Sequence, residues 1–294
     1  MRCVSFSRTG FVRAITVCAG LLTSACADLD RASLYSDQSA NLHAMGHLRV
    51  DTAPSDAPFS AADLANNFHR VAFSYEFAFR NGRLVQGPID KPLKRWQGTI
   101  RYRMFGDGVT DKDRADVVEL LARLAPLTGL EFVETAGKAD LVISIATRSG
   151  RRKISRMLGD RGFHSYRERY DIWRRSPNWT CGATVSARPD QPERLYFAHV
   201  FLGAEAQGIM RTACLHEEIV QTLGLANDYA AARPSIFNDD QEFALMTDHD
   251  AMLLRALYDR RLRPGMSADE AMPIARRIFA EMAPLGTAVV AKSP

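Results

Sequence analysis

Between Cys214 and Asp228 the chain reads CLHEEIVQTLGLAND, and this stretch gathers the side chains best suited to chemistry. Read as a helix, it sets Glu217 and Gln221 four residues apart, so both leave one face a turn apart, with Glu218 beside them. Gly224 is placed to end the helix in a left-handed turn, and Asn227 and Asp228 return within three and four residues of it. Carboxylates and carboxamides therefore converge on one spot. Such an oxygen-bearing set could hold a hard cation and activate its water, or hydrogen-bond internally and fix the helix to the following loop.

The spacing E-E-x-x-Q-x-x-G-L-x-N-D resembles the metzincin zinc-protease signature H-E-x-x-H-x-x-G-x-x-H position for position, with its three histidines replaced. The resemblance implies metal-ligand positions at Glu217, Gln221 and Asn227 (or Asp228), and the general-base position at Glu218. Starting one residue earlier, at His216, would require a ligand at Val220 and a glycine at Leu223, so the later register fits better. Upstream, LAPLTGLEFVETAGKADLVISI looks like the matrixin pattern of a helix, a short strand and an A-D-[LI]-x-[IV] strand before the catalytic helix. Downstream, LMTDHDAMLLRALYD resembles the matrixin tail. Phe237 (or Ile236), within Ser235-Ile236-Phe237-Asn238, stands where a methionine would lie beneath the metal.

The elements that must position this stretch can be read in order. Ser60-Ala-Ala-Asp63 caps an amphipathic helix with Leu64, Phe68, Val71 and Ala72 on its apolar face, and Phe73 to Val85 reads as a hairpin around Asn81-Gly82. Trp96 to Phe105 alternates as a half-buried strand, with Ile100, Tyr102 and Met104 on one side. Thr110 caps a helix to Leu124, and strands follow at Leu130 to Val133 and Asp140 to Ala146. Ser149 to Thr180 is basic and aromatic and departs from the matrixin pattern. As two short helices it would form a cationic lid over one side of the site, or a solvated insertion whose arginines pair with local acids. Leu195 to Gly203 is the next strand. In the metzincin pattern it is the edge along which an extended peptide or protein partner adds, with His199 on one face. Ser267-x-x-Glu270 caps a last helix, Ala268 to Met282.

The chain's compartment is written at its start. Arg2, Arg8 and Arg13 precede an apolar run from Ala14 to Leu22 and then LTSAC, a secretory signal ending in a lipobox, so residues 1–25 are expected to be removed and Cys26 lipidated. Ala25-Cys26-Ala27 also satisfies an ordinary small-x-small cleavage site, which would leave a soluble periplasmic protein. Ala27, rather than aspartate, follows the cysteine, which points a lipidated chain to the outer membrane. Removal of the signal takes 38 basic residues to 35 against 34 acidic ones, a near-neutral balance that gives no reason to expect nucleic acid. Of five cysteines, Cys3 and Cys18 leave with the signal and Cys26 is acylated. Cys181 and Cys214 remain as an even pair in an oxidising space and are expected to form a disulfide, the alternative being two buried thiols. Residues 26–58, rich in Asp, Ser and Ala without sustained period, read as a lipidated tether, and His43 and His47 in it lack a third metal ligand nearby.

DLANNFHRVAF, the RW-x-x-x-I strand, Cys181, CLHEEIVQTLGLAND, SIFNDDQEFALMTDHD and LRPGMS together resemble a bacterial lipoprotein family known as domain of unknown function 2927. The resemblances imply an α+β, zincin-like (metzincin-type) domain over residues 59–265. It would comprise a twisted mixed sheet, a backing helix and an active-site helix, followed by a C-terminal helix and tail over residues 266–294. Two function classes follow. One is a metal-dependent peptidase in which Glu217, Gln221 and Asn227 or Asp228 hold zinc or calcium and Glu218 is the base. The other is a non-catalytic binding or envelope module with a degenerate site and no cofactor. Carboxamide oxygens are poor zinc ligands, which favours the second.

Overall fold

The computed structural model describes residues 31–80, 83–176, 179–238 and 240–282. The signal segment and Cys26, the Asn81-Gly82 turn and the tail beyond Met282 lie outside them. The described chain is mixed α+β. A five-stranded sheet runs β4-β3-β5-β7-β6, built from β3 (Thr99–Phe105), β4 (Glu131–Glu134), β5 (Leu141–Ala146), β6 (Cys181–Ala187) and β7 (Leu195–Gly203). Four strands are parallel and β6 alone is antiparallel, paired to β7. A separate hairpin joins β1 (Ser74–Arg80) to β2 (Arg83–Asp90), closing at Arg80 and Arg83 as the Asn-Gly signal predicts.

Alternation decides which side chains meet the main core. Ile100, Tyr102 and Met104 of β3, Ile143 and Ile145 of β5, and Val200 and Leu202 of β7 all turn to one face of the sheet. Packed there are α3 (Asp111–Thr128), α6 (Gly208–Gln221), α2 (Ala61–Ala72), α7 (Asp248–Leu257) and α8 (Ala268–Met282). Helix ends follow their capping residues. Ser60 with Asp63, Thr110 with Asp113 and Thr247 with Asp250 each form a reciprocal capping box, and Gly129, at φ 69°, ends α3 in a left-handed turn.

Four expectations change. Residues 31–58 are not a tether. Residues 31–44 form a helix, α1, whose Tyr35 and Leu42 pack with Leu48, Ala206, Met210 and Ala244, and the strand-like stretch after it bonds through Leu48 and Arg49 to Gln241 and Glu242. The boundary at residue 265 also dissolves, because α8 buries Ala271, Ala275, Ile278 and Phe279 in the main core and Phe279 packs edge-on against Phe68 of α2. Leu195–Gly203 is not an edge strand. Both its ladders are filled, by β5 and β6, so no peptide or protein partner can add along it, and the edges of the sheet are β4 and β6. Finally, α4 (Arg148–Asp160) and α5 (His164–Arg175) exist as the two short helices expected, but they cover the sheet face opposite α6. Ile154, Tyr170 and Trp173 close a second apolar cluster there with Ala146 and Phe201. They are no lid over the motif.

Candidate functional site

Helix α6 carries the motif, and its position is fixed at both ends. Near its start the buried Arg211 pairs with Asp113 of α3 at 3.1 Å and donates to the carbonyl of Ala206. In its middle Cys214 is bonded to Cys181 of β6 across a Cα separation of 5.9 Å, so the expected pair is the disulfide and the helix is stapled to the edge strand. At its C-terminal end, the carbonyls that an α-helix leaves without internal donors are taken up from outside. Trp96 Nε1 donates to Thr222 O at 2.8 Å, Tyr258 Oη to Leu223 O at 2.9 Å, and Lys91 Nζ to Gly224 O at 3.1 Å. Gly224 sits at φ 123°, where a Cβ would come within 2.4 Å of Lys94 O, so only glycine fits the turn that sends the chain back toward Asn227 and Asp228.

The structure brings together part of the predicted set. Gln221 Nε2 donates to Asp228 Oδ1 at 2.7 Å, which closes helix to loop. Asn227 does not join them: its Nδ2 donates to Arg70 O at 3.1 Å and to Asp228 O at 2.6 Å, tying the loop to α2. Glu217 is half-buried and engaged in contacts of its own. Glu218 is buried, and its carboxyl is pushed well above the usual carboxylate range, first by desolvation and then by the negative charges of Asp228 and Glu76. His216, the rejected alternative start, accepts the backbone N–H of Met246 at Nδ1 (3.0 Å), and burial lowers it to about 4, so it stays neutral. Phe237 and Ile236 are both buried in the main core below the loop.

Two participants escape the sequence reading. Glu76 lies on β1, whose N–H meets Ala226 O at 3.4 Å, so the hairpin delivers a third carboxyl to the neighbourhood of Glu218. Lys91 is buried beside the Tyr75 ring, and desolvation lowers it to about 7. Nothing local marks either one, because each reaches the site through the docking of the hairpin.

The donor chemistry does not fit zinc. Among the described residues no group of three or more His, Cys, Asp or Glu side chains could hold a metal ion, and the predicted ligand set offers only carboxyl and carboxamide groups, with the Glu218 carboxyl beside them raised well above the usual carboxylate range by burial. Among those residues, too, no helix is long and apolar enough to cross a membrane.

A family profile described as "Protein of unknown function (DUF2927)" matches residues 61–277, from the first residue of α2 into α8. The chain belongs to this family. The DUF2927 segment thus contains the sheet, the hairpin, the motif helix and most of α8, and leaves out α1. A search of curated proteins returns no match.

Proposed function

We propose that this DUF2927 protein is an exported envelope protein, anchored through Cys26, whose metalloprotease-like site has become a non-catalytic binding or structural module on a zincin-like scaffold. The scaffold reading draws support from the mixed sheet, the backing helix α3 and the motif on a helix that ends at Gly224. The functional reading is carried by one observation: Gln221 and Asp228 are hydrogen-bonded to each other, where a metal site would turn both toward an ion. Asn227, committed to backbone carbonyls, and the raised Glu218 carboxyl agree with it.

Glu218 gives the test its sign. Its folded pKa is raised above the ordinary 4.5, so the native state binds the proton more tightly than the unfolded chain. That contribution is complete below about pH 4.5 and is lost as the pH rises through the raised folded value. Glu218→Gln keeps a neutral hydrogen-bonding group, so its melting temperature should match the parent at pH 4 and exceed it at pH 8. Zinc or calcium should leave both proteins' melting temperatures unmoved. A true site would add about 2.7 kcal/mol at one hundred times its dissociation constant. A second reading, a metal-dependent peptidase with Glu218 as base, is favoured by that same perturbed carboxyl, since catalytic groups are often so shifted. Stoichiometric zinc lost in Glu217→Ala or Gln221→Ala, with peptide hydrolysis lost in Glu218→Ala, would establish it and end the first.

The anchor has its own check. Fed a radiolabelled fatty acid, cells should yield labelled protein in the membrane fraction, and Cys26→Ser should lose the label; label retained in that variant refutes the assignment.

A further inference from the structure

The helices α4 and α5 close on the second face of the sheet through Trp173 and Tyr170 against Phe201 and Ala146, and α5 touches it again through Tyr166, whose ring packs on Phe197 and His199. Between these helices and the sheet lies a cavity of about 700 Å³, lined by Val142, Phe197 and His199 on the strands and Ile154, Met157 and Leu158 on α4. That volume lies within the range of small-molecule sites.

Its lining divides into two chemistries. Arg103, Lys138, Arg161 and Arg169 contribute four cationic side chains, and none of the described lining residues is acidic. Other arginines of the insertion are drawn off this wall: Asp171 gathers Arg167, Arg174 and Arg175, and Arg151 makes a buried bidentate pair with Glu205 at 2.6 and 2.7 Å. The remaining lining is apolar in effect. Tyr166 Oη is taken up by Thr184 at 2.6 Å and His199 Nε2 by Ser144 at 2.7 Å, so the floor presents ring faces rather than polar tips. Burial lowers His199 to about 3, and it adds no charge. Phe163 and Tyr196, which also line the cavity, are exposed by 55% and 46%, an apolar rim open to solvent.

We propose that this cavity binds an amphipathic anion: a single acyl chain laid between α4 and the sheet, its carboxylate or phosphate head held by Arg103, Lys138, Arg161 and Arg169. A peptide would bring amide groups that this wall cannot satisfy, whereas an acyl chain is polar only at one end. Arginine and lysine at the rim suit such a head without burying unpaired charge.

The test uses the purified exported chain and isothermal titration with four probes: dodecanoate, dodecyl phosphate, dodecyltrimethylammonium and acetate. One of the two anionic amphiphiles should bind with one-to-one stoichiometry, the tighter of them identifying the head group. The ammonium, with the same chain and opposite charge, should bind at least about tenfold more weakly, and acetate not at all. Val142→Trp, which fills the cavity from β5, should abolish binding. Lys138→Gln with Arg161→Gln, both exposed and so harmless to folding, should weaken it about tenfold while the melting temperature stays put. Equal binding of anionic and cationic amphiphiles, no binding of either anion, or binding indifferent to both sets of substitutions would overturn the proposal.

Discussion

Opening the Cys181–Cys214 bond should lower the stability of the folded protein by about 3 to 4 kcal/mol, on the chain-entropy account of a loop with a sequence separation of 33. For a chain of this size that corresponds to a fall in melting temperature of roughly 5 to 8 °C. The loop it closes holds β6, β7 and the first turns of α6. Its loss would free the motif helix from the edge strand at the same time as it enlarges the unfolded ensemble. The comparison is between the oxidised protein and Cys181→Ala/Cys214→Ala by thermal melting, with thiol titration of the denatured, unreduced chain alongside. Neither cysteine should titrate. Reactive thiols at these two positions, or an unchanged melting temperature in the double variant, would show that the bond does not form or does not matter.

A comparable loss should follow Asp250→Ala, at about 3 to 5 kcal/mol, because a buried carboxylate there serves several donors at once. Asp250 is fully buried and accepts from Ser235 Oγ, from the backbone N–H of Ile236 at 3.1 Å and from that of Thr247 at 2.9 Å. It is both the reciprocal half of the α7 cap and the fastening of the Ser235–Phe237 turn beneath the motif loop. Truncation would strand these donors in the core, while Asp250→Asn should cost less by keeping one acceptor. Urea unfolding of the three proteins measures the difference. A change below about 1 kcal/mol for the alanine variant would mean that relaxation or water satisfies the donors and that the turn is held by packing alone.

Where the chain's own local chemistry decides structure, the sequence is a good guide. Caps at Ser60, Thr110 and Ser267, the Asn-Gly hairpin signal, the alternation of Ile100, Tyr102 and Met104, and Gly224 after the motif helix all act within a few residues. Strand β6 escapes because CGATVSA is small and polar, half-buried throughout, and lacks the bulky alternation that marks a strand. The metzincin pattern makes β7 the edge, and nothing in the unread β6 corrects it. Helix α1 escapes because its composition is that of a linker and its core contacts, Tyr35 and Leu42, stand seven residues apart with little between them to set a period. At the motif, helix and loop are legible as neighbours, but the choice between Asn227 and Asp228 depends on where α2 lies, since Arg70 O captures the Asn227 amide. Glu76 reaches Glu218 only through a long-range docking that no pattern in its own strand reveals.

Under the proposed anchoring at Cys26, the helix formed by residues 31–44 limits how far the folded body can stand from a bilayer. An extended tether from residue 26 to residue 58 would reach roughly 110 Å, whereas the five residues from Cys26 to Arg31, the first described residue of α1, span at most about 17 Å. A chain held by Cys26 would therefore carry its body close against the lipid head groups, because α1 is packed onto that body through Tyr35 and Leu42. It would act on what lies in or immediately above the membrane rather than sample the width of the periplasm.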